Sequence, residues 1–491
     1  MTPPGATQGA AAGLEALAYP DIVARQDDDP SVTGPDRLHG LAVLWASADV
    51  VHALVFAPPV LATPQAVAWA LYLAAALAVL LRPRSLARLG LLLASQIALT
   101  LWHLPAVPNH GLYLMLANGT LGVGLVVASW RAGGSPDRAL LFDRLASGLR
   151  AGLVALYGVA LWHKLNSDFL DPTLSCATEG LRLLPGAGES LPSWAPPLAI
   201  GTTLAVEGAL ALSLAWRKTR RAGIGLALAF HGLFFFVGTA GLMSFSVLIG
   251  AQLYLFLPRP AAQELARRMV PPRPAVIALA LGLLAWIPVG YAGFTPGPAT
   301  PLGRTGPFLH SPLLAALGLA WGIAVWTSIA RTLRHQSWGS SAPKQPPIGA
   351  VALPLLVLLV GSSPYLGGPT APVFSMFSNL RTDLDGWNHL WVPALTHGAR
   401  LEEDRVVVVA TDHRPWQPDM GRAWPWLELR RRLAETPDDL WLTYEAAAGP
   451  VTVVREQGVL RTDGRPLPPP GVLGFAGMRT VPVDGPNRCA W

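Results

Sequence analysis

The sequence predicts a polytopic α-helical membrane protein with a small α+β domain after its last helix. Three observations carry that expectation. Of 491 residues, 52% are hydrophobic and only 13% charged, about half the charged share of a soluble domain. Apolar runs of roughly 17 to 22 residues, long enough to cross a hydrocarbon core of ~30 Å, recur through the first three quarters of the chain. After Ser363 the runs stop and strand-like alternation takes over. The expected division is a cytoplasmic tail over 1–38, a multi-helix transmembrane domain over 39–363 and an extracytoplasmic domain over 364–491.

Taken in order, the apolar runs lie near 39–58, 64–81, 87–104, 111–130, 151–163, 195–216, 222–238, 241–257, 274–292, 309–330 and 347–363, which predicts about eleven spans. Cations crowd alternate connections: Arg82, Arg84 and Arg88; Arg131, Arg138, Arg144 and Arg150; Arg217, Lys218, Arg220 and Arg221; Arg259, Arg267, Arg268 and Arg273; Arg331, Arg334 and Lys344. The connections between them hold only Lys164, Arg182 and Arg304. By the positive-inside rule the crowded loops are cytoplasmic, so the N-terminus is inside and the tail outside. The net charge of +6 and the pI near 9.6 therefore belong to membrane-facing loops, not to a nucleic-acid surface. The first thirty residues are small, polar and acidic, with no apolar core for a cleavable signal peptide. The Ala, Gly, Pro and Arg bias suggests a bacterial cell membrane.

In the tail, "RVVVVATDH", "DLWLTYEAAAGPVTVVREQGVLRT" and "GVLGFAGMRTVPVD" read as strands, and "AWPWLELRRRLAETPDD" as one helix with Trp424, Leu427 and Leu433 on a shared face. The only two cysteines, Cys176 and Cys489, fall on the same, outer side of this topology. An oxidising compartment favours their pairing over two unpaired thiols.

Lys164 is one of three lysines in a chain that otherwise takes its cations from arginine. It ends the fifth apolar run. One account is an anchor, with the stem in lipid and the ammonium among the headgroups. The other is a general base, because a buried lysine can lose its proton where arginine cannot. Further ionisable groups lie in or beside the runs: Asp49, His52, His103, His110, Glu207 and His231. Such groups are costly in lipid and mark candidate sites. Asp49 and His52, three apart, can meet on one helix face. An interhelical packing contact is the alternative role for them, and for Glu207 with His231.

Three segments together resemble the vitamin K-dependent gamma-glutamyl carboxylase family, whose bacterial members are grouped as horizontally transferred transmembrane domain proteins. "NHGLYLML" is similar to the family's Asn-His-x-Tyr-Leu helix start, which aligns His110, next to Asn109, with the active-site histidine. "ALYGVALWHKLNSDFLD" is similar to a span ending in Lys-Leu, a polar step and Asp-aromatic. That alignment sets Lys164 on the catalytic lysine, followed by Asp168 and Phe169. "FHGLFFFVGTAGLMSFSVLIGAQLYLFLP" is similar to a later pair of spans and puts His231 on their histidine. The likeness covers roughly residues 39 to 260. It implies a lysine that deprotonates a reduced vitamin K-type naphthoquinone, oxygenation of that quinol to an epoxide, and carboxylation of a glutamate with carbon dioxide. Membrane quinone and an extracytoplasmic protein or peptide are then the expected partners beside the lipid bilayer, with no nucleic acid and no metal. Supporting roles fall to His163, Asn109, Asp168, Glu207 and His231. This chain has His163 where animal enzymes often carry a second lysine, and its tail is far shorter than theirs. "GPTAPVFSMFSNLRTDLDGWNHL" matches the family's aromatic, Met-containing segment by position only. Two other classes compete with the enzyme: a transporter with a path through Asp49, His52, Glu207 and His231, and a scaffold whose tail binds a partner.

Overall fold

The computed structural model describes residues 35–61, 66–182, 184, 190–234, 240–269, 271–292, 312–335, 351–383, 386–394, 404–436, 439–446, 449–462, 465–466 and 477–489. The readings of the N-terminal tail over 1–34, of Arg304 and Lys344, and of the strand segment over 471–476 lie outside these residues. Asp36–Trp491 form one compact unit.

A helix lies on each of the eleven apolar segments: α1 (Arg37–Leu61), α2 (Ala66–Leu81), α3 (Leu86–His103), α4 (Asn109–Arg131) and α5 (Arg138–His163) come first. The short α6 (Ser167–Leu170) and α7 (Cys176–Arg182) lead to α8 (Ala195–Ala215), α9 (Arg220–Phe234) and α10 (Ala240–Leu253). The short polar α11 (Arg259–Met269) is followed by α12 (Arg273–Ala292), α13 (Pro312–His335) and α14 (Ala352–Ser362). The length and apolar character needed to cross a membrane is met by fewer of the described helices than the eleven expected. Among the described residues five helices are long and apolar enough to cross: α1 over Arg37–Val55, α3, α4, α5 and α8. The bent pair of α11 and α12 makes a sixth if it is one span. Ala66–Leu81, Leu242–Phe256 and Ala352–Leu366 are apolar but shorter than the ~20 residues a perpendicular span needs.

Burial separates the spans. In α1, 89% of the crossing window is buried inside the protein, against 22% in α8. The first is the core of the bundle; the second turns most of its apolar surface outward. α5 packs closely on α14 through glycines. A Cβ at Gly152 would collide with Leu353, and one at Gly361 with Val159. Small residues at such crossings let backbones approach without a hydrophobic driving force.

The tail folds as an all-antiparallel sheet of β1 (Arg405–Thr411), β2 (Arg422–Pro425), β3 (Leu440–Ala446), β4 (Gly449–Glu456), β5 (Val459–Thr462), β6 (Arg465–Pro466) and β7 (Val481–Pro482). Their order is β6-β5-β4-β3-β1-β2-β7. One helix, α15 (Trp426–Glu435), lies between β2 and β3 in the chain. Its buried face is Leu429 and Leu433, four apart, over Val408, Leu442 and Val453. Trp424 shares that core from β2, not from the helix, because Pro425 holds the helix start one residue later. Leu427 is only half-buried.

Candidate functional site

Between the last helix and the sheet, residues 370–392 fold back over the end of α5. The Leu390 N–H donates to the Leu165 carbonyl at 3.0 Å, and the Ser167 N–H to the Asn388 carbonyl at 3.0 Å. Asn166 and His389 form a β-bridge. Asn166 is fully buried and donates through Nδ2 to the carbonyls of His163 (2.8 Å) and Ser378 (2.5 Å), while its Oδ1 caps α6 at the Phe169 N–H. One asparagine thus ties together the end of α5, the next turn and the covering segment.

Beneath this cover lies Lys164, 3% exposed. Its Nζ stands 3.0 Å from Oε1 of Glu207 in α8. It also reaches the carbonyls of Ala160 and Met376, each at 3.4 Å. Among the described residues Oε2 of Glu207 has no hydrogen-bond partner. Met376 is presented by unusual backbone: Phe374, Phe377 and Asn379 have φ of 64°, 54° and 54°. Side chains in this left-handed region cost about 1–3 kcal/mol each and persist where the surroundings over-determine them, often at functional sites.

Lys164 caps the C-terminal end of α5, whereas its partner lies within a helix. Glu207 lies twelve residues into α8, so roughly 18 Å of that helix continues past it on the side of the covering segment. α5 starts at Arg138, not near 151, because charged residues interrupt the apolar pattern of its first half.

The other candidate residues take distinct places. Asn109 and His110 begin α4, and Asn109 Oδ1 accepts the Phe374 N–H at 2.6 Å, two residues from the carbonyl over Lys164. The buried His110 ring packs edge-on against His52 at 5.5 Å and near Phe245 at 6.0 Å. His231 shares a 2.7 Å hydrogen bond with the Tyr157 hydroxyl through Nε2, and its Nδ1 is 3.3 Å from Ser246 Oγ. Phe245 stands 5.1 Å from the His231 ring. His163 faces away from this group: Nε2 donates to the Gly361 carbonyl of α14 at 2.8 Å, and the ring lies beside Tyr365.

Asp168 holds structure together. Its Oδ2 accepts the Asn487 N–H at 2.7 Å and Asn388 Nδ2 at 3.0 Å, and its Oδ1 accepts the Ser167 hydroxyl at 3.1 Å. Close by, Cys176 and Cys489 form a disulfide. The pairs expected from sequence distribute differently. Asp49 accepts the Tyr72 hydroxyl of α2 at 2.8 Å, and His52 Nδ1 is 2.7 Å from Ser244 Oγ of α10. Glu207 meets Lys164, not His231.

Sequence reasoning missed Tyr157, Asn166, Met376, Asn388 and Asn487. Tyr157 had a signal, since it lies seven residues before Lys164 and so on the same helix face. The others come from segments more than two hundred residues away or carry no charge. Among the described residues no group of three or more His, Cys, Asp or Glu gathers as metal ligands. The chain matches no protein-family model, no curated protein and no solved structure.

Proposed function

We propose that the chain is an integral membrane enzyme of the vitamin K-dependent carboxylase type, in which Lys164 removes a proton from a reduced naphthoquinone. The observation that carries this reading is the buried Lys164–Glu207 pair with one carboxylate oxygen left open. A buried ion pair with few added hydrogen bonds regains little of its desolvation cost. Moving one proton from Nζ to Oε1, across 3.0 Å, turns it into an amine and an acid without separating charge. The amine then has a lone pair for a substrate hydroxyl, and Glu207 keeps the proton. The carbonyls of Ala160 and Met376 orient Nζ in either form.

A flat hydroquinone suits the side chains nearby. Phe245 packs beside the His110 ring and Phe374 beside Tyr113, and Asn109 and His110 begin α4, so the region is aromatic and apolar with few polar groups. When bound, such a quinol supplies the acidic hydroxyl and the electrons that reduce oxygen. The bundle supplies dryness, which keeps a strong base from being quenched. Carboxylation of an extracytoplasmic glutamate with carbon dioxide, and a bacterial inner membrane with the N-terminus inside, complete the reading. The test is epoxide formation by the purified protein with reduced menaquinone and oxygen, followed by chromatography. Wild-type protein that makes no epoxide above a protein-free control would sink it. A reporter fused after Trp491 tests the orientation and should be active outside the cytoplasm.

A second reading, a proton-coupled transporter, is favoured by one observation. Asp49–Tyr72, His52–Ser244 and Tyr157–His231–Ser246 put ionisable pairs inside the bundle on α1, α2, α5, α9 and α10. Acidification of proteoliposomes without quinol would favour it over the enzyme.

A further inference from the structure

The segment Trp387–Val392 follows the last helix in sequence, yet it is sewn to the end of a membrane-length helix. Its staple is His389. Nε2 donates to the Trp162 carbonyl at 3.1 Å, and Nδ1 accepts the N–H groups of Trp391 (3.2 Å) and Val392 (3.0 Å). Trp387 Nε1 closes the loop on the Val392 carbonyl at 2.6 Å. The Leu390 N–H goes to Leu165, and the Asn388 N–H to the Arg381 carbonyl. Four successive or near-successive backbone donors are thus satisfied within the protein. A loop in water has no need of that, whereas a loop at membrane depth does, because lipid offers no acceptors.

What the loop exposes is apolar. Trp391 is 68% exposed and Leu390 49%. The Trp391 ring sits 5.6 Å from Trp162, on the last turn of α5. The level of that turn follows from α8. Lys164 Nζ reaches back one turn to meet Glu207, and α8 runs roughly 18 Å past Glu207 on this side. The loop therefore lies about two turns short of the end of α8. Over those turns α8 shows apolar side chains to the outside, Leu198 at 59% exposed among them. The indole ring, apolar in its body with one polar N–H, is the side chain that membrane boundaries collect.

We propose that Trp387–Val392 is a membrane-embedded loop whose Leu390 and Trp391 side chains contact lipid at the boundary between headgroups and acyl chains, in the leaflet at the Lys164 end of α5. The inference does not rest on quinone chemistry. It makes the cover over Lys164 a membrane-anchored element, held by lipid from one side and by α5 from the other.

Both native cysteines are engaged in the disulfide, so a third cysteine can be spin-labelled selectively without reductant. Trp391→Cys and, separately, Leu390→Cys are labelled with a nitroxide in the full-length protein reconstituted into phosphatidylcholine vesicles. Collision with oxygen, which concentrates in lipid, is compared with collision with a water-soluble nickel chelate. Val126→Cys on α4 (69% exposed) serves as lipid reference, and Val459→Cys on β5 (42% exposed) as water reference. The expected result is nickel accessibility several-fold below that at 459, with oxygen accessibility near that at 126. Nickel accessibility at both 390 and 391 equal to that at 459 would overturn the proposal. If only the 391 label is water-accessible, loss of the Trp162 contact is the cause and the 390 label decides.

Discussion

Two buried ion clusters in this protein differ in how fully their carboxylates are satisfied. In the tail, Asp383 is 1% exposed. Its Oδ1 accepts Arg381 Nε at 2.6 Å, and its Oδ2 accepts Arg381 Nη2 at 2.8 Å and Arg405 Nη1 at 2.9 Å. Both carboxylate oxygens are filled, and guanidinium groups cannot give up their protons at any ordinary pH. In the bundle, Glu207 has one short contact to a lysine and, among the described residues, one oxygen with no partner. The first cluster has a single protonation state and serves as a fastener. The second leaves one carboxylate oxygen open among the described residues. The lesson is that saturation of the lone pairs, more than burial, is what differs between the two, since both carboxylates are buried.

The largest effect that would test this contrast is on activity. Lys164→Arg keeps the charge but removes the amine form. Quinol-dependent turnover should fall about 10²- to 10⁴-fold, the usual worth of a positioned base, in protein that still purifies as a single species. Full activity would leave Lys164 as an anchor. Next comes stability. Glu207→Leu strands an ammonium among apolar groups and should cost about 3–5 kcal/mol, whereas Lys164→Met combined with Glu207→Leu should recover most of it. Thermal unfolding in detergent compares the two, and a double variant no better than the single one would show that the pair is not the source.

Loss of the disulfide in Cys176→Ser should cost about 2–5 kcal/mol. Titration of the unfolded, unreduced wild type should find no free thiol. Acid provides a smaller perturbation, aimed at the other cluster. Burial would raise the Asp383 carboxyl, but hydrogen bonds and charge from Arg381 and Arg405 outweigh it and hold the group below its ordinary value. A depressed carboxyl stabilises the fold fully above the unfolded value of about 3.9, and that share is lost as pH falls through the folded value. Proteolysis of the tail should therefore accelerate below about pH 4 in wild type, and Asp383→Asn should lose that step. The smallest effect is expected from Lys218→Arg, in the exposed turn between α8 and α9, within about 0.5 kcal/mol of wild type.

Hydropathy made the helices legible, because lipid and a packed bundle both demand apolar side chains. It could not tell them apart. α1 and α8 look alike in sequence, yet one is buried by protein and the other faces outward. The first half of α5 escapes hydropathy for a related reason: Asp143, Arg144 and Arg150 interrupt its apolar pattern, which then reads as loop. Within the site, Lys164 and Glu207 stood out singly because charge is rare in such runs. Their pairing depends on how α5 and α8 cross, which no local pattern encodes. The cover was less legible still. Met376 contributes a carbonyl, which every residue has, and Asn487 reaches Asp168 from 319 residues away. The tail helix was located, but Trp424 was assigned to it because a spacing argument does not see Pro425 ending a strand.

The disulfide has a consequence in time. Cys176 and Cys489 are 313 residues apart, and a ribosome adding about 5–20 residues per second needs roughly 15 to 60 s to travel between them. For that interval the newly inserted Lys164–Glu207 pair stands without Met376, Asn388 or Asn487 around it, and the Cys176 thiol waits unpaired. The cover over the pair is complete only once the segment that carries Asn487 and Cys489 has been made.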